Sequence, residues 1–241
     1  MRFAATPSVD GTLTGFWTAP EDFCYKLPDS VSLQEGALME PLAVAVHTIR
    51  QAAVVPGQSI VVMGAGPVGL LCAAVAKVFG ARKICSVDIV DTKLQFAEGF
   101  CSTHVYQSQL LSAEENADNI KRHVGCPSGV DVVIDASGAE SSIQASLHTV
   151  RIGGIFVQVG MGRSNVTFPI MSLCLKEITA KGSFRYNSGD YKLAVELVED
   201  RKIDAKQLIS ETVSFECAEE DFHKVAAGKV IKILIAGPNA P

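Results

Sequence analysis

Residues Val61 to Leu71 read Val-Val-Met-Gly-Ala-Gly-Pro-Val-Gly-Leu-Leu, which sets Gly64, Gly66 and Gly69 in a G-x-G-x-x-G. An apolar run, Ser59 to Met63, precedes this turn, and a longer one, Pro67 to Phe79, follows it. Between a strand and a helix, the first glycine makes the tight bend. The second lets the backbone approach a pyrophosphate, and the third lets helix and strand pack closely. The helix start then offers free N–H groups and a positive dipole end to the phosphates. A second strand-like run ends at Asp88, whose carboxylate would accept hydrogen bonds from ribose hydroxyls and repel a 2′-phosphate. Together these residues predict a dinucleotide site that prefers NAD to NADP.

Other residues could do chemistry as well. Glu40 precedes Pro41 in an apolar segment, and His47 follows two turns later on a similar face. A Glu/His metal pair usually sits at i, i+3 or i, i+4, so His47 is expected as a packed core histidine. Arg185 and Tyr186 are expected at the end of a sixth strand, where open α/β sheets place their ligands.

Composition narrows the function classes. The 241 residues suffice for one large domain or somewhat more, and 48% are hydrophobic. The net charge of −5, without a Lys/Arg run, argues against a nucleic-acid partner. No apolar stretch has the length of a membrane span, and Met-Arg-Phe-Ala-Ala-Thr-Pro lacks a signal-peptide core. The 7 cysteines form no C-x-x-C pair, which fits reduced thiols in a cytoplasmic protein. Cys72 and Cys174 lie among apolar neighbours and are expected to pack as small hydrophobes.

The elements that must position these groups follow from periodicity. Strands are predicted at Ser59–Met63, Lys83–Asp88, His104–Tyr106, Asp131–Asp135, Ile155–Val159 and Thr179–Phe184. Helices are predicted at Pro67–Phe79, Asp91–Gly99, Ala113–His123, Ser141–Val150 and Pro169–Lys176. The near-continuous apolar strands point to a parallel sheet covered on both faces, hence a doubly wound α/β fold. Before it, Gly11–Leu27 reads as short strands with turns. Ser32-Leu-Gln-Glu35 reads as a capping box opening a helix that Pro41 interrupts and that resumes from Leu42 to Arg50. After it come a helix at Tyr191–Arg201, a strand at Glu211–Phe215, a helix at Ala218–Ala227 and an apolar strand at Val230–Ala236. This tail no longer repeats the βα unit.

The blocks Glu35-Gly-Ala-Leu-Met-Glu40-Pro-Leu-Ala-Val-Ala-Val-His47, Val62-Met-Gly-Ala-Gly-Pro-Val-Gly69 and Gly182-Ser-Phe-Arg-Tyr186 resemble the polyol branch of the zinc-dependent medium-chain dehydrogenases. The resemblance spans essentially the whole chain, with fungal xylitol dehydrogenases nearest and sorbitol dehydrogenases close behind. It implies a Rossmann sheet at 42–186. Residues 1–41 and 187–241 would be remnants of a mostly-β catalytic domain. It implies hydride transfer between a polyol and NAD to give a ketose, in a cytoplasmic homo-oligomer. The resemblance makes Glu40 a catalytic and substrate-facing carboxylate and gives Arg185 and Tyr186 contacts to polyol hydroxyls. It adds Val68, Lys93, Val159, Gly160, Met161, Ser183, Phe184 and Arg185 to Gly64, Gly66, Gly69 and Asp88 as cofactor contacts. The family's zinc ligands, a Gly-His-Glu motif and an upstream Cys, do not occur here. The chain is therefore expected to be an amino-terminally shortened member that binds NAD without zinc or turnover of its own. The alternatives are a non-catalytic NAD-binding protein and a shortened gene product.

Overall fold

The structure, a computed structural model, describes residues 4–6, 9–226, 228 and 230–238. The expected helix end at Ala227 lies outside them, as do Met1 to Phe3 and Pro7 of the segment that bears on a targeting signal. The chain divides into two compact units, Met1–Ala37 with Ala205–Pro241, and Leu38–Asp204.

The second unit carries most of the expected elements. In chain order these are α2 (Met39–Gln51), β1 (Ser59–Met63), α3 (Pro67–Val78), β2 (Lys83–Asp88), α4 (Asp91–Phe100) and β3 (His104–Gln107). Then come α5 (Ala113–Val124), β4 (Val130–Asp135), α6 (Glu140–Thr149), β5 (Val150–Gln158), α7 (Ile170–Leu175), β6 (Thr179–Gly182) and α8 (Asp190–Glu199). The strands form one parallel sheet in the order β3-β2-β1-β4-β5-β6. This is the doubly wound order, with its switch point between β1 and β4.

The burial pattern explains the apolar runs. Val61, Met63, Cys85, Val87 and Val133 cluster with Ile120 of α5 and Ile143 and Leu147 of α6. The alternate residues Ile60, Val62, Ile84, Val132 and Ile134 are also buried, towards the face that α3 and α4 cover. Only a strand buried on both faces has no polar side. The edge strands β3 and β6 are correspondingly more exposed.

Three expectations change in this unit. Pro41 does not break α2 but occupies its first turn, where N–H groups have no intrahelical acceptor. The sixth strand ends at Gly182, so Arg185 and Tyr186 lie in the loop after it. The Ser183 amide still donates to the Gln158 carbonyl at 2.8 Å, and Arg185 then turns the chain with φ +58°. The compact unit also runs on past 186 to Asp204, because α8 packs on α2 and Asp190 is hydrogen-bonded to it.

The first unit holds α1 (Leu33–Gly36), β7 (Ile209–Val213), α9 (Ala218–Ala226) and β8 (Lys232–Ile235). The Ser32/Glu35 capping box forms in both directions and opens α1. β7 and β8 pair in parallel with each other. No strand forms at 11–27. This segment is mostly exposed and holds one short 3-10 turn, Glu21–Phe23. Among the described residues its β-type residues pair with no strand, and a strand needs a hydrogen-bonded neighbour.

Candidate cofactor and substrate site

Each motif glycine has its own structural reason. Gly64 has φ +97° and packs against the loop after β4, with Ser137 N 3.0 Å from where a Cβ would sit. A Cβ on Gly69 would overlap the Gly64 carbonyl oxygen, so α3 can start this close to β1 only with glycine there. Gly66 caps α3 in an ordinary extended conformation, and a Cβ on it would meet nothing within 4 Å. Its smallness answers no contact within the protein. It leaves open the space in front of the Val68 and Gly69 amides, where an anion would sit.

A cleft of about 490 Å³ opens beside this turn, walled by the loops after β1, β2, β3 and β4. Gly64, Gly66, Asp88 and Lys93 line it. Asp88 is half-buried and braces the glycine turn. Its Oδ2 accepts from the Ala65 amide at 2.8 Å and its Oδ1 from the Val90 amide at 2.9 Å. A carboxylate offers about four acceptor positions. Two remain for hydroxyl donors in the cleft.

Asp135 at the end of β4 is a group that sequence reasoning missed. It is fully buried, and it accepts from Gly138 N at 2.7 Å, Ser137 Oγ at 3.0 Å, Ser142 Oγ at 2.6 Å and Gln158 Nε2 at 3.0 Å. It thereby fixes the β4 loop that forms one side of the switch point. The signal was an acidic residue ending an apolar parallel strand, as at Asp88, followed by Ala-Ser-Gly. Gly160 and Gly162 come close to the backbone of this same loop, and the Val159 and Gly160 amides both donate to the Asp135 carbonyl. The close approach that Gly160 permits here is therefore to Gly138 and its neighbours. Met161 is exposed beyond it.

Glu40, Arg185 and Tyr186 form a second group and do not line the cleft. Glu40 Oε1 accepts from the Arg185 guanidinium at 3.0 Å, joining α2 to the loop after β6. Arg185 holds this pose with a left-handed backbone, which strains a non-glycine residue. The exposed Phe184 ring lies 5.9 Å from its guanidinium carbon. Tyr186 packs edge-on against Tyr191 at 4.9 Å.

Further contacts strap this loop along α2. The Thr48 hydroxyl donates to the Val44 carbonyl, so at its buried 3.0 Å contact with Ser183 the serine is the donor. Lys181 Nζ donates to the Gln51 carbonyl at 2.8 Å. Asp190 is buried, and one of its oxygens accepts from Arg50 at 2.5 Å. The other lies 2.9 Å from His47 Nδ1. A carboxylate can only accept there, so Nδ1 carries the proton. His47 is thus largely buried, as expected, yet held by an acid that sequence reasoning did not connect to it.

Cys72 is buried as expected, whereas Cys174, near the end of α7, is exposed. That short helix buries none of its residues fully, so its apolar neighbours do not enclose the thiol.

The family described as Zinc-binding dehydrogenase matches residues 67–200. The chain belongs to this family. Among curated relatives it is 56% identical over 237 residues to the D-xylulose reductase A of Aspergillus oryzae and 57% identical over 237 residues to that of Aspergillus niger. Each alignment covers 98% of this chain and 66% of the relative, so the chain spans just under two thirds of their length. Among solved structures, L-idonate 5-dehydrogenase from Escherichia coli superposes with a TM-score of 0.85 at 29% identity, over 95% of this chain and 64% of that one. The 2R,3R-butanediol dehydrogenase of Bacillus subtilis gives 0.79 at 27% identity, over 88% and 60%. Zinc-binding dehydrogenases carry a metal, and the groups here do not fit one. Glu40 is paired to Arg185 and His47 to Asp190. Among the described residues no group of three or more His, Cys, Asp and Glu is placed to hold an ion. Also among the described residues, no helix is long and apolar enough to cross a membrane.

Proposed function

We propose that this chain binds NAD in preference to NADP and supplies the cofactor half of a polyol dehydrogenase. The observation that carries this reading is the open space at Gly66 beside the Asp88 carboxylate. Amides of Val68 and Gly69 would hold the pyrophosphate, and Asp88 the adenosine ribose hydroxyls. Lys93, on the same cleft, would sit near that ribose. Val159, Gly160 and Met161, with Ser183 and Phe184, would border the nicotinamide. Bound NAD supplies the hydride acceptor. The Arg185 guanidinium, with five donors, suits a chain of hydroxyls. Tyr186 adds a contact beside it, and the Glu40 carboxylate orients Arg185 and can take a proton from a substrate hydroxyl. A polyol such as xylitol and its ketose form the substrate pair, in agreement with the names of the Aspergillus relatives. The same reading places the protein in the cytoplasm, as part of a homo-oligomer.

The test is a fluorescence titration with NADH and NADPH. NADH should bind at least about tenfold more tightly, a difference of about 1.4 kcal/mol. Asp88→Ala should narrow that gap. Equal affinity of the unmodified chain for both would overturn the assignment. A second reading, NAD binding without turnover, is favoured by the pairing of Glu40 with Arg185 and of His47 with Asp190. A xylitol/NAD assay with zinc analysis separates the two. Stoichiometric zinc with robust turnover by these 241 residues would remove the second reading.

A further inference from the structure

The wall of the cleft beyond Asp88 is built from the β3–α5 connection, residues 108–112, and one buried side chain holds that connection together. Asn116, in the second turn of α5, is 5% exposed. Its Nδ2 donates to the carbonyls of Gln109 at 3.0 Å, Leu111 at 3.3 Å and Ser112 at 3.3 Å. Its Oδ1 accepts from the Gln109 amide at 3.1 Å and lies 3.4 Å from Ser108 Oγ and from Tyr106 OH. The Ser112/Glu115 capping box closes the same turn from the other side. An amide is the only side chain that offers donors and an acceptor together at this size. Little of this is needed for the sheet. β3 ends at Gln107 and α5 already has its cap, so apart from the long contact to Tyr106 of β3 the Asn116 bonds go to the loop. That loop and α5 line the cleft with Ser108, Gln109 and an edge of Asn116 itself, but chiefly with Leu110, Leu111, Ala113 and Ile120. This is a mainly apolar surface of the kind that suits the flat face of a nucleobase.

We propose that Asn116 is a positioning residue for the adenine of the cofactor, acting through the 108–112 loop; this rests on the NAD reading above. With phosphates at Gly66 and ribose at Asp88, the base must continue away from the glycine turn, towards β3. There the loop meets it as a preformed wall. A wall fixed by five contacts selects its base by shape, and the extra amino group of guanine would press on it. Binding to a wall that must first be ordered is weaker, because the ordering entropy is then lost on binding.

Asn116→Asp is nearly the same size. It keeps the acceptor at Gln109 N but turns a carboxylate oxygen towards three carbonyl oxygens. It therefore separates hydrogen bonding from space filling. The experiment measures dissociation constants of NADH and of reduced nicotinamide guanine dinucleotide for the full chain and the variant. The unmodified chain should favour adenine about tenfold or more, and N116D should bring that ratio to within about threefold. General destabilisation would lower both affinities and leave the ratio alone, so an unchanged ratio overturns the role of Asn116. If the unmodified chain binds neither dinucleotide, the NAD reading itself falls. Hydrogen exchange on the unmodified chain gives a check that needs no variant. Addition of 5′-AMP should slow amides in 109–112 several-fold, and binding of AMP without protection there overturns the proposal.

Discussion

Alanine at Gly66 and alanine at Gly69 should fail in opposite ways. Gly69 lies in the first turn of α3, and its Cβ would overlap the Gly64 carbonyl oxygen, with Ala136 Cβ a further 3.5 Å neighbour. Backbone cannot yield as a flexible side chain can, so α3 must shift from β1. Overpacking of this kind costs about 1–3 kcal/mol, against which the better helix propensity of alanine returns up to about 1 kcal/mol. The net loss should lower Tm by about 2–4 °C per kcal/mol for a domain of this size. Gly66 has φ −78° and nothing within 4 Å of its missing Cβ. Gly66→Ala should therefore cost only a few tenths of a kcal/mol, up to about 1, as a weaker cap. Its methyl group would stand where the pyrophosphate must approach the backbone, and NADH affinity should fall about tenfold or more. Calorimetric melting of both apo variants and NADH titration of G66A check this. G66A binding NADH as tightly as the unmodified chain, or melting lower than G69A, would refute the reasoning that Gly66 is kept for a ligand.

Three more outcomes are expected. Arg185→Gly should leave apo stability within about 1 kcal/mol in denaturant unfolding, because relief of the strained backbone offsets a partly exposed ion pair worth about 0–1 kcal/mol. A clear loss would mean that Arg185 serves folding. Burial pushes the thiols of Cys72 and Cys85 up to about 12 and that of Cys101 to about 11. A disulfide reagent at pH 8 should therefore modify Cys24, Cys174 and Cys217, then Cys126 more slowly, and Cys72, Cys85 and Cys101 only in denaturant; fast reaction of all 7 in the native protein would contradict the packing. Burial alone would raise the Asp131 carboxyl, but the Ser59 amide, the Arg151 guanidinium and the Ser59 hydroxyl outweigh it and hold it below its usual range. Its stabilising contribution is complete above the unfolded value of about 3.9 and is lost as pH falls further. Asp131→Asn should therefore flatten the acid limb of the stability profile below about pH 4.

The parts of this molecule that sequence made legible are those decided locally. A parallel strand buried on both faces must be apolar throughout, so β1, β2 and β4 stand out. The three glycines are legible because backbone conformation and close approach leave no substitute. Ser32 and Glu35 announce α1 because both partners of a capping box lie within one turn. The failures share a cause as well. β-type side chains at 11–27 suggest strands, but pairing depends on a neighbour elsewhere in the chain. Pro41 suggests a break because its place within the helix, first turn or interior, depends on where the helix starts.

The substrate-side group shows the same limit more sharply. Glu40 and Arg185 each carry a functional expectation, yet across a separation of 145 positions nothing in the sequence says that one accepts from the other. Asp190, the first residue of α8, carries no signal of its own in the sequence. Its carboxylate ties His47 and Arg50, on one face of α2, to the loop that carries Arg185. Thr48 and Gln51 add contacts to Ser183 and Lys181 along the same helix. Helix α2 thus acts as the template on which 181–190 is laid. Buried charge of this kind is weak evidence for stability, because desolvation offsets much of the attraction. What it provides is register. Sliding the loop by one residue along α2 would unpair Asp190 from His47 and Arg50 and would pull Arg185 from Glu40. The strained backbone at Arg185 is held by contacts on both sides of it, at Ser183 and Asp190. The guanidinium is therefore held in one pose by the protein itself, which is what the substrate-orienting role proposed for it requires.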